Sequence, residues 1–376
     1  MGGKMKHFKP EGWLMDTPEN RAAFASSAAL RDAYFEGRIL EARALLCDKD
    51  HNLHVDLGCM EGIIPREEAA VGIEEGKVRD IAIISRVNKP VMFRITGFDA
   101  DALGRTSAIL SRRSVQLECM ETDIARLTPG EVIDARVSQM GRLRRFCGIG
   151  AGLSALMPID SISVSRIPHP SERFRTGEDI RALVKGIDEN GRITLTHKEL
   201  LGTWEQNAAQ FKAGETVPGV IRSVEKYGVF VELTPNLAGL AEYVQGVYAG
   251  QHASVYIKSL IPERMKIKLI IVDAFDAEYP PPPVTYYTDS DYIDHWIYSP
   301  ECCPKVVESF FSLWRSSRQV EKAEKKSVSS VPLVGIWKRI FVYSGKVSSR
   351  KTFLCFRNCY PAQKQNAGFG QVNRIF

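Results

Sequence analysis

The run YGVFVEL at 227–233 sets an aromatic ring on the polar side of a strand. A period of two puts Tyr227, Val229, Val231 and Leu233 on one face and Gly228, Phe230 and Glu232 on the other. A bulge at Gly228 would break the alternation and swing Tyr227 round beside Phe230. Lys226 precedes the pair, Arg222 lies in the strand before it, and Lys266 sits further along the same module. Exposed rings stack unpaired bases for roughly 1–3 kcal/mol each, while neighbouring cations follow the phosphates. These residue types suit the holding of a single-stranded nucleic acid. The competing reading seals Phe230 against a neighbouring module or a linking helix.

The pattern recurs. Residues 130–146, GEVIDARVSQMGRLRRF, lie over 214–230, GETVPGVIRSVEKYGVF, without a gap at an offset of 84 residues. Self-similarity at a fixed spacing marks repeated modules. In the earlier copy Leu143 and Phe146 take the two ring positions, with Arg142, Arg144 and Arg145 around them. An arginine plane both stacks and binds phosphate, so weight shifts there from stacking toward charge. A solvated basic hairpin is the plain alternative. A first, more divergent copy puts His51 and His54 at the corresponding positions.

Short strands must position these residues. The chain divides into a helical extension over 1–35, a divergent module over 36–128, a second over 129–200, a linking helix over 201–212 and a third module over 213–276. A Pro-rich linker with an acidic, aromatic segment follows over 277–311, then a basic, disordered tail over 312–376. Thr17 caps and Pro18 opens a helix read over 17–35. Strands are expected at 38–46, 52–57, 78–86, 91–98 and 108–112 in the first module. In the second, 180–187 and 192–197 flank the turn Asp188-Glu189-Asn190-Gly191. Five short strands per module suit a small, partly open barrel better than a sandwich. The expected fold is therefore mainly β, with three tandem five-stranded barrels, short linking helices and an irregular C-terminal tail.

At 376 residues the chain has room for two or three domains. Its net charge of +5 is unevenly spread: 312–376 hold 13 of the 50 Lys+Arg and 2 of the 45 Asp+Glu. Residues 1–311 are thus about −6, and any anion site in the modules must be a local patch. No apolar run approaches the roughly eighteen residues of a membrane helix, and the start MGGKMKHFKPEGWLMD lacks the apolar core of a secretory signal. The eight cysteines show no Cys-x-x-Cys and no histidines at matching spacing, which points to reduced thiols in the cytoplasm. Asp289, Asp291 and Asp294 with His295 read as a solvated acidic helix start rather than a metal site. With no nucleophile elbow, phosphate loop or zinc motif, no catalytic residue, metal or cofactor is expected.

The third module resembles the ribosomal protein S1 repeat, a five-stranded OB-fold, in GETVPGVIRSVEKYGVFVEL, AGLAEYV and KIKLII. The second is similar in GEVIDARVSQMGRLRRF, SALMP and NGRITLT, and the first in HVDL, EGIIP and AILSRR. The resemblance covers about residues 36–275, strongest in the third module and weakest in the first. It implies single-stranded RNA bound by two rings on the second strand, a histidine after the Gly-Leu step, and an Asp and Arg around the last hairpin. Tyr227 and Phe230 then fill the ring places and Lys266 the arginine's, while Glu242 stands for the histidine and Pro262 for the aspartate. In the second module Phe146, Asp188 and Arg192 match and Leu143 and Pro158 depart; in the first, Pro65 replaces the histidine. No module holds the full set, so useful binding requires linked modules acting together. The implied partners are single-stranded RNA, whether mRNA or rRNA, and the small ribosomal subunit, for a non-enzymatic cytoplasmic monomer. The alternative is a protein-interaction scaffold whose modules have lost RNA binding. A metal-dependent nuclease built on Asp289 and Asp291 is the third class.

Overall fold

A computed structural model describes residues 8–100, 104–140, 144–279 and 283–311, and for 139, 140, 144 and 145 the backbone alone. Two short helices, α1 (Pro18–Ala23) and α2 (Ser27–Phe35), precede the first strand. The expected single helix over 17–35 is therefore broken. Ser26 is extended and its side chain accepts from the Ala29 amide, capping α2 afresh.

The first barrel comprises β1 (Ile39–Cys47), β2 (Leu53–Asp56), β3 (Glu61–Ile64), β4 (Pro90–Ala100) and β5 (Thr106–Ser111). Between β3 and β4 lies a one-turn helix, α3 (Ile81–Ile84), where the sequence suggests a strand over 78–86. The apolar run Ile81-Ala82-Ile83-Ile84 is too short for periodicity to decide, and only Ile83 is buried. Helix α4 (Arg113–Thr122) leads to the second barrel: β6 (Val132–Met140), β7 (Arg144–Gly150), β8 (Leu153–Pro158), β9 (Asp179–Ile187) and β10 (Ile193–Thr196). Helix α5 (Trp204–Ala208), fixed by a Thr203/Gln206 capping box, precedes the third. That barrel comprises β11 (Thr216–Glu225), β12 (Gly228–Thr234), β13 (Leu237–Ala241), β14 (His252–Ile261) and β15 (Lys266–Phe275). Each barrel closes in the order first, second, third, fifth, fourth strand, with the third and fifth parallel. The fold is mainly β, with three closed, OB-like barrels and few short helices.

Alternation builds each wall. In β15, Lys266, Lys268 and Ile270 face out while Ile267 and Leu269 are buried. The interiors hold separate apolar clusters around Phe93, Met157 and Val231, respectively. A fourth cluster of Met92, Val115, Cys119 and Ala151 lies between the first and second barrels. There the irregular N-terminal segment before α1 acts as a clasp. Glu11 is gripped by Arg112 at 2.7 and 3.1 Å and by Arg86 at 3.4 Å, and Arg136 of the second barrel donates to the Glu11 carbonyl. Burial alone would raise the Glu11 carboxyl, but Arg112, Arg86 and the Met92 amide hold it below the usual carboxylate range.

Beside it, Glu41 of β1 is fully buried and accepts from the amides of Gly12, Leu14 and Met15. Burial pushes its carboxyl from 4.5 up to about 7 against those amide bonds, and the nearby Glu11 charge adds to the rise. A folded-state value above the unfolded one binds the proton more tightly. The associated stability is therefore fully present below about pH 4.5 and is lost as pH rises through about 7. Thermal melts of wild type and Glu41→Gln at pH 4.5 and 8 should show a difference that shrinks, in wild type's disfavour, at the higher pH. A pH-independent difference would contradict this.

Residues 283–311 return along the second and third barrels instead of standing apart as a linker. Tyr286 accepts from the Arg181 amide at 3.0 Å, Val132 donates to the Asp291 carbonyl at 2.9 Å, and Trp296 and Tyr298 join the third core. A small hairpin of β16 (His295–Ile297) and β17 (Glu308–Phe310) ends the segment. The expected helix start at Asp289, Asp291 and Asp294 is absent from these described residues, because this stretch runs extended along the edge of the second barrel.

Candidate nucleic-acid interface

Strand pairing places five residues in one row across each outer wall. In the third barrel the row is Ser223, Phe230, Leu240, Lys268 and Ser259. The second has Gln139, Phe146, Leu156, Thr194 and Gly186. The first has Leu46, His54, Ile63, Ile109 and Gly97. The first strand of each barrel carries one extra residue just before its row, Leu45, Ser138 or Arg222. The three walls thus share a register as well as a topology, and His54, Phe146 and Phe230 are equivalent.

Tyr227 and Phe230 come together in the third barrel. Their ring centroids are 6.2 Å apart at 87°, an edge-to-face pair, and Tyr227 is 68% exposed. Phe230 is half-buried. No bulge at Gly228 is needed to bring the rings together; the irregularity in the β11–β12 pair lies on β11, at Arg222. Tyr227 reaches the ring surface because Glu225 pairs with Gly228, leaving Lys226 and Tyr227 as a two-residue hairpin loop outside the alternation. Gly228 has φ +151°, and a Cβ there would meet the Ala241 carbonyl oxygen at 2.4 Å, so only glycine closes this hairpin.

Lys226, Lys266 and Lys268 are exposed around the rings. Lys268 is missed by sequence reasoning, although the alternation of KIKLII puts it on the face of Lys266. Arg222 goes elsewhere: with its side chain 7% exposed, it lies between Glu232 and Glu172, Nε donating to Glu232 at 2.8 Å. Its guanidinium is committed to carboxylates rather than open to phosphate. Glu242 is exposed at the end of β13.

Phe146 of the second barrel is 38% exposed. Arg144 and Arg145 lie on β7, with their side chains outside the described residues; Arg142, Leu143 and the tail over 312–376 lie wholly outside them. Asp188 and Arg192 are exposed at the β9–β10 turn, beside Thr194 of the row. The Asp188 carboxylate accepts from the Asn190 and Arg192 amides at 2.9 and 2.8 Å, which shapes the turn that presents Arg192.

The first barrel differs in chemistry. His54 Nδ1 lies 2.6 Å from Glu61 and Nε2 3.4 Å from Asp48. Burial would lower the imidazolium, but bonds and charge from Glu61 and Asp48 raise it. The Asn52 side chain, its amide and His54 hold Asp48 down at about 2. The row offers an ion-paired imidazole flanked by acid and by Leu46, 48% exposed, in place of a ring flanked by lysines. His51 lies in the preceding turn at φ +65°.

Among the described residues, no cluster of three or more His, Cys, Asp or Glu is arranged to hold a metal, and no helix is long and apolar enough to cross a membrane. Cys47, Cys59, Cys119, Cys302 and Cys303 are free thiols.

Residues 126–198, covering the second barrel, match the family model "S1 RNA binding domain". Small ribosomal subunit protein bS1 of Leuconostoc lactis is 26% identical over 219 residues, 57% of this chain and 48% of that protein. That of Staphylococcus aureus strain COL is 26% identical over 257 residues, 66% of this chain and 62% of that protein. The bS1 homolog of Bacillus subtilis strain 168 is 27% identical over 235 residues, 60% and 57% of the two chains. This chain spans about half to three-fifths of the length of these relatives. A solved multidomain protein with nucleic acid binding domains from Streptococcus pneumoniae aligns with 63% of this chain and 74% of its own at 12% identity, with a TM-score of 0.21. The family match and the bS1 relatives thus give the chain an S1 RNA-binding domain over residues 126–198 and distant homology, at 26–27% identity, to ribosomal protein bS1 over 57–66% of its length.

Proposed function

We propose that this protein binds single-stranded RNA across its second and third barrels, as a non-catalytic cytoplasmic monomer handling mRNA or rRNA in connection with the small ribosomal subunit. The observation that carries the reading is the shared row: Phe146 and Phe230 occupy equivalent outer positions, and Phe230 is joined by exposed Tyr227 and lysines. Bases stack on such rings without sequence preference, while Lys226, Lys266, Lys268 and Arg192 follow phosphates; Arg142, Arg144 and Arg145 add positive charge to the sequence just before Phe146. RNA binding is implied by the S1 family, and that family is generally non-catalytic. The ribosomal connection rests on distant homology to bS1 alone.

Phosphate contacts predict a salt response. Each contact to a single strand contributes about 0.7 to the slope of log affinity against log salt, so Lys266→Ala with Lys268→Ala should reduce that slope by about 1.4. Titration of a fluorescent oligouridylate at several salt concentrations measures it. An unchanged slope would remove these lysines from the interface, and a flat wild-type response would remove phosphate contacts altogether.

The first barrel favours a second reading for its own wall, as a protein-docking surface. Asp48, Asp56 and Glu61 around His54 oppose phosphate, and Leu45 and Leu46 are about half exposed. If the scaffold reading held for the whole chain, the purified protein would elute free of nucleic acid and oligonucleotide would not shift it at low salt.

A further inference from the structure

A chain of alternating charge, buried at all but its Glu172 end, which is 30% exposed, joins the second and third barrels: Glu172, Arg222, Glu232, Arg173. Glu172 and Arg173 belong to the irregular stretch between β8 and β9, Arg222 is the extra residue of β11, and Glu232 lies on β12. Glu232 accepts from Arg222 at 2.8 and 3.1 Å and also from Arg173 Nη2; Arg222 Nη1 donates to Glu172. The side chains of Arg173, Arg222 and Glu232 are 9%, 7% and 7% exposed. Each barrel thus gives one acid and one base, and each pairs across the boundary.

The boundary has a second attachment at the β12–β13 turn. Val164 and Ser165 donate their amides to Asn236 Oδ1 and the Pro235 carbonyl at 3.0 and 3.1 Å, and Asn236 donates to the Lys198 and Gly202 carbonyls. One attachment alone leaves a pivot; these two, with the segment 283–311 that packs on both barrels, remove the rotation. The charged chain is the attachment nearer the rings, since Glu232 follows Phe230 by one pleat repeat, about 7 Å along the strand.

We infer that this ion-pair chain is a positioning device that holds the ring surface of the third barrel in fixed orientation to the second, so that one RNA strand engages both. The inference rests on the proposed RNA reading and adds the device that couples the barrels. Fixed orientation raises the effective concentration of the second site once the first is occupied. A buried ion pair is weak evidence of net stabilisation, and conformational specificity is the better-attested role for one.

The test uses the full chain and two oligouridylates, one of about 6 nucleotides, within reach of one barrel, and one of about 20, long enough for two. Arg173→Ala removes the cross-boundary bond to Glu232 but leaves the Arg222 to Glu232 and Arg222 to Glu172 pairs. Glu172→Gln, as a second variant, weakens the other crossing. Expected is an unchanged affinity for the short strand and a loss on the order of tenfold for the long one in either variant. If both variants keep the wild-type preference for the long strand, or lose affinity equally for both lengths, the positioning role is overturned. Failure of the wild type to bind either strand would instead sink the RNA reading, and this inference with it.

Discussion

Tyr227→Ala combined with Phe230→Ala should weaken binding of single-stranded RNA by about 2–6 kcal/mol, since each stacked base is worth roughly 1–3 kcal/mol. The two rings touch edge to face, so their effects should couple. A double-mutant cycle should show a sum that departs from additivity. Tyr227 is the cleaner probe: it stands in the hairpin loop, and its truncation removes little packing. Phe230 sits opposite Leu240 and is half-buried, so a thermal melt must accompany its titration. The predicted signature is lost affinity with a retained third-barrel transition. Losses of a few tenths of a kcal/mol for both rings, with folding intact, would remove stacking from the account.

The largest expected stability effect lies far from the rings. Glu11→Ala leaves the Arg112 guanidinium, 4% exposed, without its carboxylate, although bonds to the Ala69 and Gly152 carbonyls remain. Removing one member of a buried pair costs roughly 3–5 kcal/mol, or about 6–20 °C in the transition that melts the first and second barrels. Arg86 is more exposed than Arg112 and recovers solvent more readily. Adding Arg112→Met to Glu11→Leu should therefore recover much of the loss. A single-substitution shift under about 2 °C would mean that the clasp does not hold these barrels together.

The barrels were legible wherever alternation and the offset of 84 residues carried them. Phe146 over Phe230 and Leu156 over Leu240 keep that offset, and both pairs occupy equivalent row positions. The resemblance reads strongest in the third module, whereas the family model matches the second. The second retains the Asp188 and Arg192 hairpin that the third replaces with Pro262 and Lys266. Arg222 reads as a surface cation by spacing, but one extra residue in β11 re-aims it into the boundary. Such a bulge has no signature in a single strand, because it is defined by the partner. Glu11 and Glu41 form a buried polar site between elements far apart in sequence, which no local pattern announces. The aromatics of 286–298 were visible as a dense group, yet without a period nothing showed that Trp296 and Tyr298 complete the third core. His54 takes an aromatic position as expected, and only the cross-strand placement of Glu61 shows that its charge is spent on carboxylates.

Ultraviolet cross-linking of the full chain to a bound single-stranded oligouridylate, read by mass spectrometry of the modified peptides, tests the central claim most directly. Adducts on Tyr227, Phe230 and Phe146 are predicted, with the first barrel unmodified. Adducts confined to the first barrel, or none on these three rings under saturating RNA, would contradict it.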